Sequence, residues 1–189
     1  MPKLGMEPIR RAALVRATID EIGAHGSLDV TVGGIAKRAG VSSGLAHHYF
    51  GGKDQIFLAA MRHILKEYGA AVRDAMQGVT DPKLRVEGII RASFAPNQFD
   101  PAVVSAWTNF YVAAQTLPDA KRLLHIYQRR LLSNLTHELR PLVGARADIC
   151  AQGIAAMIDG LYIRRALGDA GVAPVDLVLA YLAASVKGC

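Results

Sequence analysis

The sequence predicts an all-α protein with a small amino-terminal unit and a larger carboxyl-terminal one. Three observations predict it. Apolar residues recur at i, i+3 and i+4 along most of the 189 residues, and no segment reads convincingly as a strand. Proline and glycine fall at the ends of the periodic runs. Near the amino end, two short runs each follow a hydroxyl residue and are joined through a glycine.

The first helix spans residues 7–24, where Ile9, Ala12, Ala13, Val15, Ala17, Ile19 and Ile22 supply neighbours one turn apart. Pro8 suits its opening turn, where a missing N–H costs nothing, and Gly23 and Gly26 end it. His25 reads as a capping or surface residue. Arg10, Arg11 and Arg16 read as solvated bases, some within reach of a phosphate. Thr31 then caps a short helix whose Val32, Ile35 and Ala36 face a core. Gly40 stops that helix in a turn that favours a positive φ. Ser42 caps a second short helix, residues 43–48, closed by Tyr49 and Phe50. This is the pattern of a helix-turn-helix. From Thr31 to Lys53 there are three bases, Lys37, Arg38 and Lys53, and no acid. The same spacing fits an ordinary αα corner packed by Ala39, Val41, Leu45 and Phe50, so spacing alone leaves both readings open.

Gly51 and Gly52 break the chain before a long helix over residues 53–76, with Ile56, Phe57, Ala60, Met61, Ile64, Leu65, Tyr68 and Val72 on its apolar side. It is long enough to leave the first unit and enter the second. Lys53 sits at its positive end, unfavourably unless an anion such as phosphate joins it there. Asp81 and Pro82 open a helix to about residue 95, broken by Pro96; Pro101 opens another to 116; Pro118 opens one to about 139, ended by Pro141 and Gly144. A helix over 147–167, a link over 168–174 and a last helix over 175–186 complete about nine. The last two carry apolar and small residues on more than one face, and a four-helix contact between two copies is the economical cover.

A formal charge of +6 and a pI near 9.5 fit a polyanionic partner. Up to Thr80 there are 10 bases and 7 acids, and beyond it 12 and 9, so bulk charge favours neither part. The opening lacks the apolar core of a signal peptide and no run has the apolar length of a membrane span, which points to the cytoplasm. Cys150 and Cys189 are too few and too distant for a metal cluster or disulfide scaffold, and both are expected to be reduced. His47 and His48 are adjacent and do not share a helix face; with His25 and His63 they make no convincing metal set. There is no hydrolytic triad, and GGIAKRAG lies on a short helix without the Gly–Lys–Ser/Thr order of a phosphate loop. Neither an enzyme nor a cofactor is expected.

The segments VTVGGIAKRAGVSSGLAHHYFGGKDQIFLAAMR, QRRLLSNLTHELR and AAMIDGLYIRRAL resemble the TetR family of bacterial transcriptional repressors, and within it choline-responsive repressors of glycine betaine synthesis genes. The first quarter carries the general family signal; the other segments extend the resemblance nearly to the carboxyl end. The resemblance implies a TetR-like homodimer on double-stranded operator DNA, associated with the nucleoid. Residues 1–52 would form the DNA-binding domain and 53–189 the regulatory and dimerisation domain, joined by the 53–76 helix. It implies that Ser42, Ser43, Leu45, His47 and His48 face the major groove and that Thr31, Tyr49 and Lys53 hold the backbone. Phe50 would pack beneath, and Ala46 has no assigned side. With no arginine from Gly40 through Gly52, base reading falls to histidine, serine, apolar contacts, water or DNA shape.

Choline is a quaternary ammonium ion without an N–H, so its recognition calls for aromatic faces and negative potential. Trp107, Phe110, Tyr111, Tyr127 and Tyr162 supply the candidate rings and Asp159 the charge, in a segment otherwise apolar. The same rings suit a plain core, with Asp159 paired to Arg164, Arg165 or backbone. A different cationic or apolar effector, or a dimeric interaction protein without an operator, are the alternatives.

Overall fold

Side-chain caps and prolines set most of the helix starts in the computed structural model, which describes residues 5–168 and 171–187. Among these residues there are nine α-helices: α1 (Met6–His25), α2 (Val32–Arg38), α3 (Ser43–Phe50), α4 (Lys53–Met76), α5 (Pro82–Ser93), α6 (Pro101–Thr116), α7 (Pro118–Val143), α8 (Ala147–Ala166) and α9 (Pro174–Lys187). A 3₁₀ turn, Gly144–Arg146, joins α7 to α8. Thr31 Oγ1 accepts from the Gly34 N–H at 3.0 Å and Ser42 Oγ from the Leu45 N–H at 3.2 Å. Asp81 and Asp100 do the same for α5 and α6, each at 2.9 Å. Every such bond satisfies a donor that the first helical turn leaves without a partner. Gly40 turns the chain between α2 and α3 at φ 67, where a side chain would be strained.

The three amino-terminal helices close around Leu14, Ile22, Ile35 and Ala46, with Ile56 from the start of α4 against them. α4 goes on to pack against α5, α6 and α7, and α8 lies against α6, α7 and α9. Within this second part Phe110, Ile89, Ile90, Leu135, Leu139 and Ile154 are fully buried. Cys150 is a buried free thiol, and Cys189 lies outside the described residues.

One boundary differs from expectation. α7 does not stop before Pro141 but runs through it to Val143. Proline deprives the helix of a single N–H in its last turn, while buried Leu139 and Val143 hold the turn against the core on either side. Smaller shifts occur elsewhere: α3 includes Tyr49 and Phe50, α5 ends at Ser93, and Pro174 is the first residue of α9. The expected 168–174 link includes two residues, 169–170, outside the described set. No helix among the described residues is long and apolar enough to cross a membrane.

Candidate functional site

The α2–α3 corner presents a surface with a defined hydrogen-bonding face. Ser42, Ser43, His47 and His48 are exposed, Leu45 and Tyr49 are half-buried, and Ala46 points inward, 1% exposed. Ala46, left without an assigned side by the sequence, therefore packs inward completely, and half-buried Phe50 packs against the core. The Ser42 hydroxyl caps α3 while remaining exposed. His47 Nδ1 donates to the Gly51 carbonyl at 3.1 Å, since a carbonyl only accepts, and its Nε2 is then the acceptor of the neutral ring. The His48 and Tyr49 rings lie 5.6 Å apart.

Arg11 belongs to the support of this surface. It donates to the Tyr49 carbonyl at 2.8 Å, its guanidinium lies 4.9 Å from the Tyr49 ring centre and 5.2 Å from that of Phe50, and Glu7 pairs with it at 2.8 Å. Arg38 is paired with Glu21. Lys53 is exposed at the start of α4 and donates to the Leu28 carbonyl at 3.2 Å, which leaves two of its three N–H donors for another acceptor. Thr31 is exposed beside the same loop, its hydroxyl held by the Gly34 cap.

The second site is a ring cluster in the larger helical part. Trp107 of α6 is its hub: its ring centre lies 4.7 Å from Tyr127, 5.8 Å from Phe110, 5.9 Å from Tyr111 and 6.1 Å from Tyr162. All five candidate rings are thus brought together from α6, α7 and α8. Asp159 joins them through a 2.8 Å hydrogen bond donated by the Tyr111 hydroxyl. Burial pushes the Asp159 carboxyl above the usual carboxylate range, and the Tyr111 bond pulls it partly back. Burial likewise raises the four tyrosines Tyr68, Tyr111, Tyr127 and Tyr162, with the Asp159 charge adding to each; Tyr68 is pushed up to about 12. The phenols are accordingly neutral donors at physiological pH. The Trp107 indole N–H is buried with no hydrogen-bond partner.

Four rings were not among the sequence candidates, and one of them, Phe57 of α4, meets Phe110 at 6.3 Å. Tyr68 of α4 meets Tyr127 at 5.8 Å and shares a 3.2 Å hydrogen bond with Ser93. Phe94 and Phe99 flank Tyr162 at 6.1 and 5.1 Å, and the Tyr162 hydroxyl donates to the Ser93 and Gln98 carbonyls. Tyr68 reads from sequence as one more apolar-face residue of α4, and Phe94 and Phe99 belong to the break around Pro96. Their aromatic character was the only available signal.

The two sites are bridged by α6 as well as by α4. Ala102 fits so tightly against Gly23 of α1 that a Cβ built there would lie 2.5 Å from the Ala102 Cβ. Ser105 donates to the Ile22 carbonyl and Asn109 to the Gly26 carbonyl, each at 3.3 Å. Trp107 and Tyr111 lie on this same helix. Among the described residues no group of three or more His, Cys, Asp or Glu is placed to hold a metal ion.

Residues 14–60 match the family described as bacterial regulatory proteins, tetR family, and residues 82–189 match the family described as BetI-type transcriptional repressor, C-terminal. The HTH-type transcriptional regulator BetI of Brucella melitensis biotype 2 (strain ATCC 23457) is 52% identical over 193 aligned positions, covering 100% of this chain and 97% of that protein. That of Rhizobium meliloti (strain 1021) is 50% identical, covering 91% of this chain and 85% of that protein. Among solved structures, a transcriptional regulator from Saccharomonospora viridis in complex with choline superposes with a TM-score of 0.82 at 21% identity, over 96% of this chain and 97% of that one.

Proposed function

The chain belongs to the TetR family of bacterial regulators, with a BetI-type carboxyl-terminal part, and on that premise we propose that it is a choline-responsive repressor of glycine betaine synthesis genes. Members of the family are DNA-binding regulators and not enzymes. Residues 1–52 act as the operator-binding domain and residues 53–189 as the regulatory and dimerisation domain. In a dimer, two α3 helices enter successive major grooves of a palindromic operator about 34–36 Å apart. Ser42, Ser43, Leu45, His47 and His48 meet the groove; Thr31, Tyr49 and Lys53 hold phosphates. Exposed Ile149, Ile163 and Leu177 support pairing through α8 and α9. The protein works in the cytoplasm, on the nucleoid.

The observation that carries the effector reading is the Asp159 carboxylate, bound by Tyr111 within the ring cluster centred on Trp107. Aromatic faces attract a trimethylammonium group through their quadrupoles, and a half-buried carboxylate supplies the opposite charge. The choline complex of the Saccharomonospora viridis regulator, which shares the fold, supports the same ligand class. Binding choline reshapes the cluster, and α4 and α6 carry the change to the amino-terminal helices; release follows if choline binds the DNA-incompatible state more tightly. Titration of the protein–operator complex with choline and a panel of quaternary ammonium ions tests this directly. Choline is expected to weaken operator affinity. An operator affinity that stays constant while calorimetry shows choline saturating the protein would overturn the effector reading.

A further inference from the structure

We propose that the groove between α4 and α7 is a second ligand site, for a single-chain amphipathic anion such as a fatty-acid carboxylate. The groove encloses about 660 Å³, within the range of small-molecule sites. Arg62, Lys66 and Arg73 line it from α4 and Arg130 from α7. No carboxylate lines it, and none of the four cations makes an ion pair with a described residue. Between them the floor is apolar: Val72 and Leu131 are buried, Leu123 is half-buried, and Ile126 is 39% exposed.

That combination selects a chemistry. Four like charges around one groove repel one another, and an anionic head relieves the repulsion while gaining charge-assisted hydrogen bonds from arginine. The same charges disfavour choline. An acyl chain, not a small inorganic anion, covers the apolar floor and removes its area from water. Gly69 keeps the α4 wall low beside Arg73, whose guanidinium would lie 3.5 Å from a Cβ built there. No residue of α8 or α9 lines the groove, so pairing of copies through those helices leaves it accessible. Tyr68 and Tyr127 form part of the groove and belong also to the ring cluster, and Tyr127 touches Trp107. A bound chain therefore lies one ring away from the only tryptophan in the sequence.

Tryptophan fluorescence of the full-length protein, titrated with dodecanoate below its micelle concentration, reads this site. Saturable binding is expected, with dodecanol, the neutral analogue of equal length, binding far more weakly. The variant K66Q/R130Q is expected to bind dodecanoate about tenfold more weakly, as removal of two partly solvated charges implies, while choline affinity by calorimetry is unchanged. Ile126→Glu, which places a like charge on the floor at an exposed position, is expected to abolish dodecanoate binding with an unaltered melting temperature. Absence of saturable dodecanoate binding, equal affinity for dodecanol, or variants that bind dodecanoate like the parent would each overturn the proposal. Choline binding on the same samples reports separately on the effector reading.

Discussion

The Tyr111 hydroxyl of α6 donates a 2.8 Å hydrogen bond to the Asp159 carboxylate of α8, tying the ring-bearing helix to an acid in an otherwise apolar stretch. The bond stabilises the ionised acid, burial opposes it, and burial prevails. The folded protein therefore holds the Asp159 proton to higher pH than the unfolded chain, whose carboxyl titrates near 3.8. The folded state is favoured by this group fully below 3.8, and that contribution is lost as pH rises through the elevated folded value. Choline binding runs the other way, because the cation prefers the carboxylate. Choline affinity should rise with pH across this window, and Asp159→Asn should both weaken binding and flatten the dependence. Calorimetry over a pH series reads both effects.

Trp107→Phe separates packing from recognition. It deletes a buried indole N–H that has no partner and keeps a ring on α6, so the melting temperature should change little. Phenylalanine offers a weaker face to a cation, and choline affinity should fall several-fold. In Trp107→Ala the fall should approach ~30-fold, the equivalent of one desolvated cation–π interaction of about 2 kcal/mol. Ligand-free operator affinity is expected to persist in the phenylalanine variant.

Lys53→Ala should weaken binding to operator and scrambled DNA alike, and should reduce the salt dependence of log K by about 0.9 for each phosphate left without its cation. His47→Ala should act differently, changing discrimination between operator and scrambled duplexes. Equal weakening on both duplexes would assign His47 to the backbone or to the α3 end that its Gly51 bond already supports.

The seam between α1 and α6 should carry the coupling of ligand to DNA. Asn109→Ala removes the bond to the Gly26 carbonyl without touching the ring cluster. Choline and operator should each bind the variant nearly as before, while the effect of one on the other shrinks. Gly23→Ala is expected to be destabilising by about 1–3 kcal/mol, the usual cost of overpacking, because its Cβ has no room beside Ala102. Thermal melts check the second expectation and paired titrations the first.

Arg85 pairs with buried Glu138 at 2.8 Å and donates to the carbonyls of Met76 and Val79, fastening the end of α4 to α7. Arg85→Met should cost about 3–5 kcal/mol, since it leaves a buried carboxylate without its partner. The double variant R85M/E138L should recover most of that stability. Chemical denaturation of the three proteins gives the comparison.

Much of the fold was legible because its signals are local. The Thr31 and Ser42 caps act within three residues, the Gly40 turn within one, and the apolar faces of α1 and α4 repeat every turn. Pro141 misled for the same reason: read alone it ends a helix, and only the packing of Leu139 and Val143 carries α7 past it. The five ring candidates and Asp159 do meet, yet Phe57 and Tyr68, legible only as apolar-face residues of α4, and Phe94 and Phe99 beside Pro96 complete the cluster.

By itself the chain determined where most helices begin, that two short ones form a corner near the amino end, and which residue types were available for a cation. Tertiary structure alone decided that Ala46 points inward, that Arg11 braces the α3 end, and that α6 touches α1 through Gly23 and Ala102. Caps and helical hydrogen bonds join residues at most a few positions apart, so a sequence window contains them whole. The ring cluster joins Tyr68 to Tyr162 across half of the chain, and the direction in which each ring points is set by how five helices fill the space between them.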